Sequence, residues 1–90
     1  MYSIEYTGKF KREYKLAIRR GHKETLIQNV IGLIVNKSQL PAKYKAHKLS
    51  GDYADCWECH ILPDWLLIWR VDEKTNTLYL ISTGTHADLF

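Results

Sequence analysis

Residues 65–71, Trp65-Leu66-Leu67-Ile68-Trp69-Arg70-Val71, place bulky apolar groups on both parities of what reads as a β-strand. Trp65, Leu67, Trp69 and Val71 would face one side of a sheet, and Leu66, Ile68 and Arg70 the other. A strand that is apolar on both faces belongs in the interior of a sheet, with cover required above and below. The rest of the chain has to supply that cover from 90 residues, 46% of them apolar, which is enough for one small domain and one core spanning residues 1–90.

The remaining pattern supplies two helices and three further strands. Tyr2 to Tyr6 alternates as a short strand, and Thr7 offers an N-cap. Phe10, Tyr14, Ala17 and Ile18 recur at helical spacing until Gly21, a suitable helix stop. Leu26, Ile27, Val30, Ile31, Ile34 and Val35 form a broader apolar stripe, so a second helix is expected from Lys23 to about Lys37. Ser38 to Pro41 ends it. Residues 42–52 lack periodicity and read as a loop presenting His47. Strands are then expected at about Tyr53 to Ile61, Trp65 to Val71 and Leu78 to Thr83, with turns at Leu62-Pro63-Asp64 and Asp72 to Thr77. The order β-α-α-β-β-β describes an α+β domain, a mainly antiparallel sheet with two N-terminal helices on one face. Two helices cover one face only. The opposite face is expected to be a partly open hydrophobic concavity with polar groups at its edge, rather than one roofed by loops.

Charge is divided along the chain. Residues 1–48 carry 11 Lys/Arg against 3 acids, a net +8, whereas residues 49–90 carry 2 against 7, a net −5. Seven of the positive charges lie between Lys9 and Lys23, among them Lys11, Arg12 and Lys15. Such a concentration attracts a phosphate backbone or an acidic protein; a solvated helix face is the plainer reading. No apolar run approaches the roughly 20 residues of a membrane-spanning helix, and Met1-Tyr2-Ser3-Ile4-Glu5 lacks the character of a signal peptide, so no membrane association and a cytoplasmic location are expected. Cys56 and Cys59 are expected as reduced thiols within one strand. Alternation sends their sulfurs to opposite faces, which argues against a closed zinc site.

Titratable groups gather in two stretches, Glu58-Cys59-His60-Ile61-Leu62-Pro63-Asp64-Trp65 and Thr83-Gly84-Thr85-His86-Ala87-Asp88-Leu89-Phe90. Histidines and carboxylates among Trp, Leu and Ile are costly to bury unless paired, so they are either satisfied structurally or line an open cleft. His22, beside Gly21, reads instead as a helix-terminal residue.

These two stretches, together with Lys45-Ala46-His47-Lys48-Leu49-Ser50-Gly51, resemble the YafQ branch of the RelE/ParE toxin superfamily. The resemblance spans the chain, with the blocks in the family's order and spacing. It implies a RelE-like fold and a toxin of a type II toxin–antitoxin pair. The implied activity is a ribosome-dependent endoribonuclease, or mRNA interferase, that cuts messenger RNA and is silenced by a cognate antitoxin, expected to be of ribbon-helix-helix type. Contact with DNA would be indirect, through the antitoxin. The family's functional set falls on His47, His60, Asp64, His86 and Phe90, with an acidic position at Glu58. There the best-known member has Asp, so this chain keeps the acid but lengthens it by one methylene.

The chemistry implied is metal-independent and needs no cofactor. A base deprotonates the 2′-hydroxyl, an acid protonates the leaving 5′-oxygen, and positive charge steadies the phosphorane between them. His86 is favoured as acid and His60 or Asp64 as base, with Asp64 alternatively orienting a histidine. Arg70 is the natural phosphate clamp, His47 contacts substrate or completes the site, and Phe90 stacks on a base. Lys11, Arg12 and Lys15 would bind ribosomal or messenger RNA. Two other classes remain open from sequence: a catalytically inactive relative acting as an antitoxin-binding or corepressor module, and a basic RNA-binding domain.

Overall fold

A computed structural model describes residues 1–90. Its elements are β1 (Ser3–Tyr6), α1 (Gly8–Arg19), α2 (Glu24–Val35), β2 (His47–Lys48), β3 (Trp57–Leu62), β4 (Trp65–Asp72), β5 (Thr77–Gly84) and α3 (His86–Leu89). The strands form one sheet in the order β1-β5-β4-β3-β2, with β1 parallel to β5 and the other pairs antiparallel. β4 is therefore the central strand, as its two apolar parities require.

Local chemistry sets the element ends. The Thr7 hydroxyl accepts the Phe10 amide at 3.1 Å, capping α1, and donates to the Leu80 carbonyl at 2.9 Å, which ties the cap to β5. Gly21 at φ +95° terminates α1: its N–H reaches the Ile18 carbonyl, and the His22 N–H reaches that of Ala17. In the β4–β5 turn the Asp72 carboxylate accepts the Lys74 and Thr75 amides, and Asn76 takes the left-handed conformation.

The helix-covered face holds a cluster of 13 buried residues that joins Phe10 and Ala17 of α1 and Ile27, Val30, Ile31 and Ile34 of α2 to Trp65, Leu67 and Trp69 of β4 and Leu78 and Leu80 of β5. Leu66 and Ile68 point the other way, as the alternation predicts. The surface around them is not the open concavity expected from sequence: both are 0% exposed, packed with Cys56 and Leu89 and flanked by Leu49, Tyr53 and Ile81. The cover comes from elements too short to announce themselves by periodicity. The presumed loop carries the two-residue β2, a 3-10 turn at Gly51–Tyr53, and a bond from the Leu49 amide to the Cys56 carbonyl, while α3 sets Leu89 over the same surface. β3 likewise begins at Trp57 rather than near Tyr53, because Asp55 turns the chain at φ +69°.

Candidate functional site

β3 and β4 bring the polar groups to one end of this second face. His47 on β2 pairs with Glu58 on β3, and His60 lies two residues further along the same strand, on the same side. The bend between β3 and β4 presents Asp64, and β5 runs into α3, whose first residue is His86. The His47 and His60 ring centroids lie 6.4 Å apart, those of His60 and His86 5.5 Å apart.

Each imidazole is oriented through Nδ1. His47 Nδ1 donates to the Lys45 carbonyl at 2.8 Å, made available by the left-handed turn of Lys45 at φ +51°. His60 Nδ1 lies 3.3 Å from the Pro63 carbonyl. His86 Nδ1 donates to Asp64 Oδ1 at 2.6 Å, and the His86 backbone N–H donates to the same oxygen at 2.9 Å. With Nδ1 engaged, Nε2 of His60 and His86 is left to exchange a proton with a substrate. The backbone bond from His86, and then its ring, hold the Asp64 carboxyl below the ordinary aspartate range. That carboxylate is 66% exposed and the imidazole 53%, so the pair stands at the surface, open to a ligand.

Glu58 differs. It is 5% exposed, with Oε1 3.4 Å from His47 Nε2 and no partner for Oε2. His47 can donate to it from Nε2 only when the ring carries both protons, since Nδ1 already donates to Lys45. A buried carboxylate with one oxygen unsatisfied is costly, and it is kept directly behind His47.

Phe90 is 66% exposed and meets Tyr53 edge-on at 5.9 Å, beside the site. Arg70 does not join the histidines. It stands four residues along β4 from Leu66, roughly 13 Å at strand rise, with its guanidinium 4.4 Å from the centre of the Tyr79 ring. Lys11, Arg12 and Lys15 are exposed on α1. No three His, Cys, Asp or Glu side chains are grouped so as to hold a metal ion. Cys56 and Cys59 are unbonded thiols in the two different apolar clusters, and burial pushes the Cys59 thiol up to about 12.

Three features of the structure lie outside the sequence expectations. His22 turns inward, stacking on Trp65 at 4.3 Å with 16° between the planes, where the sequence suggests only a helix terminus. Asp88 caps α3 reciprocally with Thr85, a T-x-x-D signature that was available in the sequence. Arg20 bonds Asp88 at 2.7 Å across 68 positions, and no local pattern signals such a pair.

An α+β sheet protein with two oriented histidines and a carboxylate exposed at one end of its sheet falls in the class of small proteins equipped for acid–base chemistry on a polar substrate. Residues 2–90 match the family described as bacterial toxin of type II toxin–antitoxin system, YafQ. The chain belongs to that family. It is 38% identical over 88 residues to the mRNA interferase toxin YafQ of Escherichia coli K12, covering 97% of this chain and 94% of that protein. The metal-bound toxin from Helicobacter pylori superposes over 100% of both chains with a TM-score of 0.94 and 37% identity. The toxin in the E. coli DinJ–YafQ complex gives a TM-score of 0.90 with 35% identity, over 100% of this chain and 99% of that one.

Proposed function

We propose that this toxin is an mRNA interferase, an endoribonuclease that acts on ribosome-bound messenger RNA by metal-independent proton transfer. The observation that carries the reading is the His60–His86 pair, 5.5 Å between ring centres, with His86 anchored to Asp64 at 2.6 Å. His60 Nε2 takes the proton from a ribose 2′-hydroxyl, whose oxygen attacks the adjacent phosphorus. His86 Nε2 gives a proton to the departing 5′-oxygen, which leaves a cyclic phosphate on the upstream fragment. Asp64 is assigned the orienting role rather than that of the base, because its Oδ1 already accepts two bonds from His86. His47, its ring set between the Lys45 carbonyl and Glu58, completes the site beside the pair and contacts the substrate. Phe90 stacks on a base, and Arg70, further along the same face, holds a flanking phosphate.

Lys11, Arg12 and Lys15 form the ribosome-docking face. The silencing partner is a cognate antitoxin of ribbon-helix-helix type, through which any contact with DNA is made, and the setting is the cytoplasm. No helix is long and apolar enough to cross a membrane.

Expression in bacteria without an antitoxin should arrest growth, and His86→Ala should relieve the arrest, with cleavage of ribosome-bound message falling about 100- to 10,000-fold. Equal toxicity of the two proteins rejects the assignment. Toxin stripped with EDTA and then freed of the chelator should cleave ribosome-bound message at an undiminished rate; activity lost on stripping and restored by adding back a transition metal would reject metal independence. Reversing Lys11, Arg12 and Lys15 to Glu should weaken ribosome association and flatten its salt dependence, and an unchanged salt slope would remove α1 as the docking surface.

A further inference from the structure

The helix that carries His86 is four residues long, whereas isolated helices below about 12 residues do not hold themselves in water. Its geometry has to be imposed from outside, and two carboxylates share the task. Asp64 accepts the His86 amide and ring. Asp88 accepts the Thr85 amide at 3.0 Å and Arg20 Nη1 at 2.7 Å through one oxygen, Oδ2, while its own N–H donates to the Thr85 hydroxyl at 3.1 Å.

The backbone has been cleared for this fold-back: a Cβ on Gly84 would lie 3.0 Å from both Cβ and Oδ2 of Asp88. Arg20 contributes from a different layer of the molecule. It is the C-cap residue of α1, with its own N–H bonded to the Leu16 carbonyl, so its backbone is fixed to the helix that the large core anchors.

We propose that Arg20 is a positioning residue for His86: through Asp88 it fastens the one-turn helix to α1 and so holds the imidazole in the orientation that Asp64 receives. This deepens the nuclease reading and rests on His86 being the proton donor. Exposed ion pairs contribute little to the stability of a whole domain. Here the pair acts on one short element, so even a modest contribution bears directly on where His86 is held. Because α1 also bears Lys11, Arg12 and Lys15, the docking face and the catalytic tail become one mechanical unit.

The test uses the full chain, with and without ribosomes. Arg20→Gln should speed hydrogen exchange of the Thr85 and His86 amides about fivefold or more, leaving exchange in β4 unchanged. It should also raise the Asp64 carboxyl titration, followed by carbon NMR, towards the ordinary aspartate range as the His86 amide leaves, with Asp88 and His86 the charged groups facing it. Turnover should fall about fivefold at unchanged KM, and Arg20→Lys should restore most of it. Asp88→Asn and the double variant Arg20→Gln/Asp88→Asn should be equally impaired.

Unaltered amide exchange and Asp64 titration in Arg20→Gln would overturn the proposal, as would a loss carried wholly by KM or additive effects in the double variant. The exchange and titration measurements need no RNA. If His86→Ala proved fully active, the nuclease reading would fail while these two measurements still judged the tether itself.

Discussion

The two faces of the sheet are built by different physics. On the helix side, 13 buried residues interlock across α1, α2 and three of the strands. On the other side only Cys56, Leu66, Ile68 and Leu89 form the buried cluster, beneath a roof of short turns and a one-turn helix. Dispersion and burial hold the first face, whereas the second is held largely by discrete bonds: His47 to Lys45, His60 to Pro63, His86 to Asp64 and Asp88 to Arg20. Packing gives rigidity without directing protons. Hydrogen bonds to Nδ1 fix a ring while leaving its other nitrogen available, and a site with several exposed imidazoles needs that arrangement.

Substitutions should separate the two. The largest effect belongs to Trp65→Ala, which removes a fully buried ring from the large cluster, leaves the Thr83 hydroxyl with only its bond to the Leu66 carbonyl and unstacks His22. A loss of about 3–5 kcal/mol in denaturant unfolding is expected, a large share of what a small domain possesses. A loss below about 1 kcal/mol would mean that the face is not the stabilising one. Next is Thr7→Ala, which should cost about 1 kcal/mol through the lost cap and leave turnover per folded molecule unchanged, since α1 stays anchored by Phe10 and Ala17. A fall in specific activity would show that the faces are not separable at that point.

The smallest global effect, and the sharpest local one, should come with acid. Asp64 and Asp88 both titrate below 3.8, the first chiefly through the His86 amide, the second chiefly through the Thr85 amide and then Arg20. Carboxylates with depressed folded values stabilise above their unfolded value, and that contribution disappears as pH falls through the folded one. α3 should therefore stay closed from neutrality down to about pH 4 and release below it. The His86 and Thr85 amide signals should then shift while those of β4 hold. Simultaneous loss of both sets would erase the distinction.

The same contrast explains what could be read from sequence. The burial parity of β4 and the stop at Gly21 follow from periodicity and backbone freedom, and both are visible in the residue order. The convergence of His60, Asp64 and His86 was anticipated from a family resemblance and from the cost of burying such groups. The roof was not, because left-handed turns at Lys45, Gly51 and Asp55 replace any repeating pattern in residues 42–56. α3 is shorter than the window in which helical spacing can be recognised. Arg70 suggests a phosphate clamp by its charge, but that its guanidinium lies over Tyr79, along the sheet from the histidines, follows from the β4–β5 pairing and is not legible in the residue order. The Arg20–Asp88 pair depends on how α1 meets the end of β5, a property of the assembled molecule.

The bend between β3 and β4 serves both proton-handling rings at once: the Pro63 carbonyl steers His60, and the next residue, Asp64, steers His86. Two adjacent residues thus act as a common jig, setting the spacing between donor and acceptor as a single quantity. An inserted or deleted residue there would throw both rings out of alignment together, so chain length at this corner is as much a determinant of chemistry as the histidines themselves.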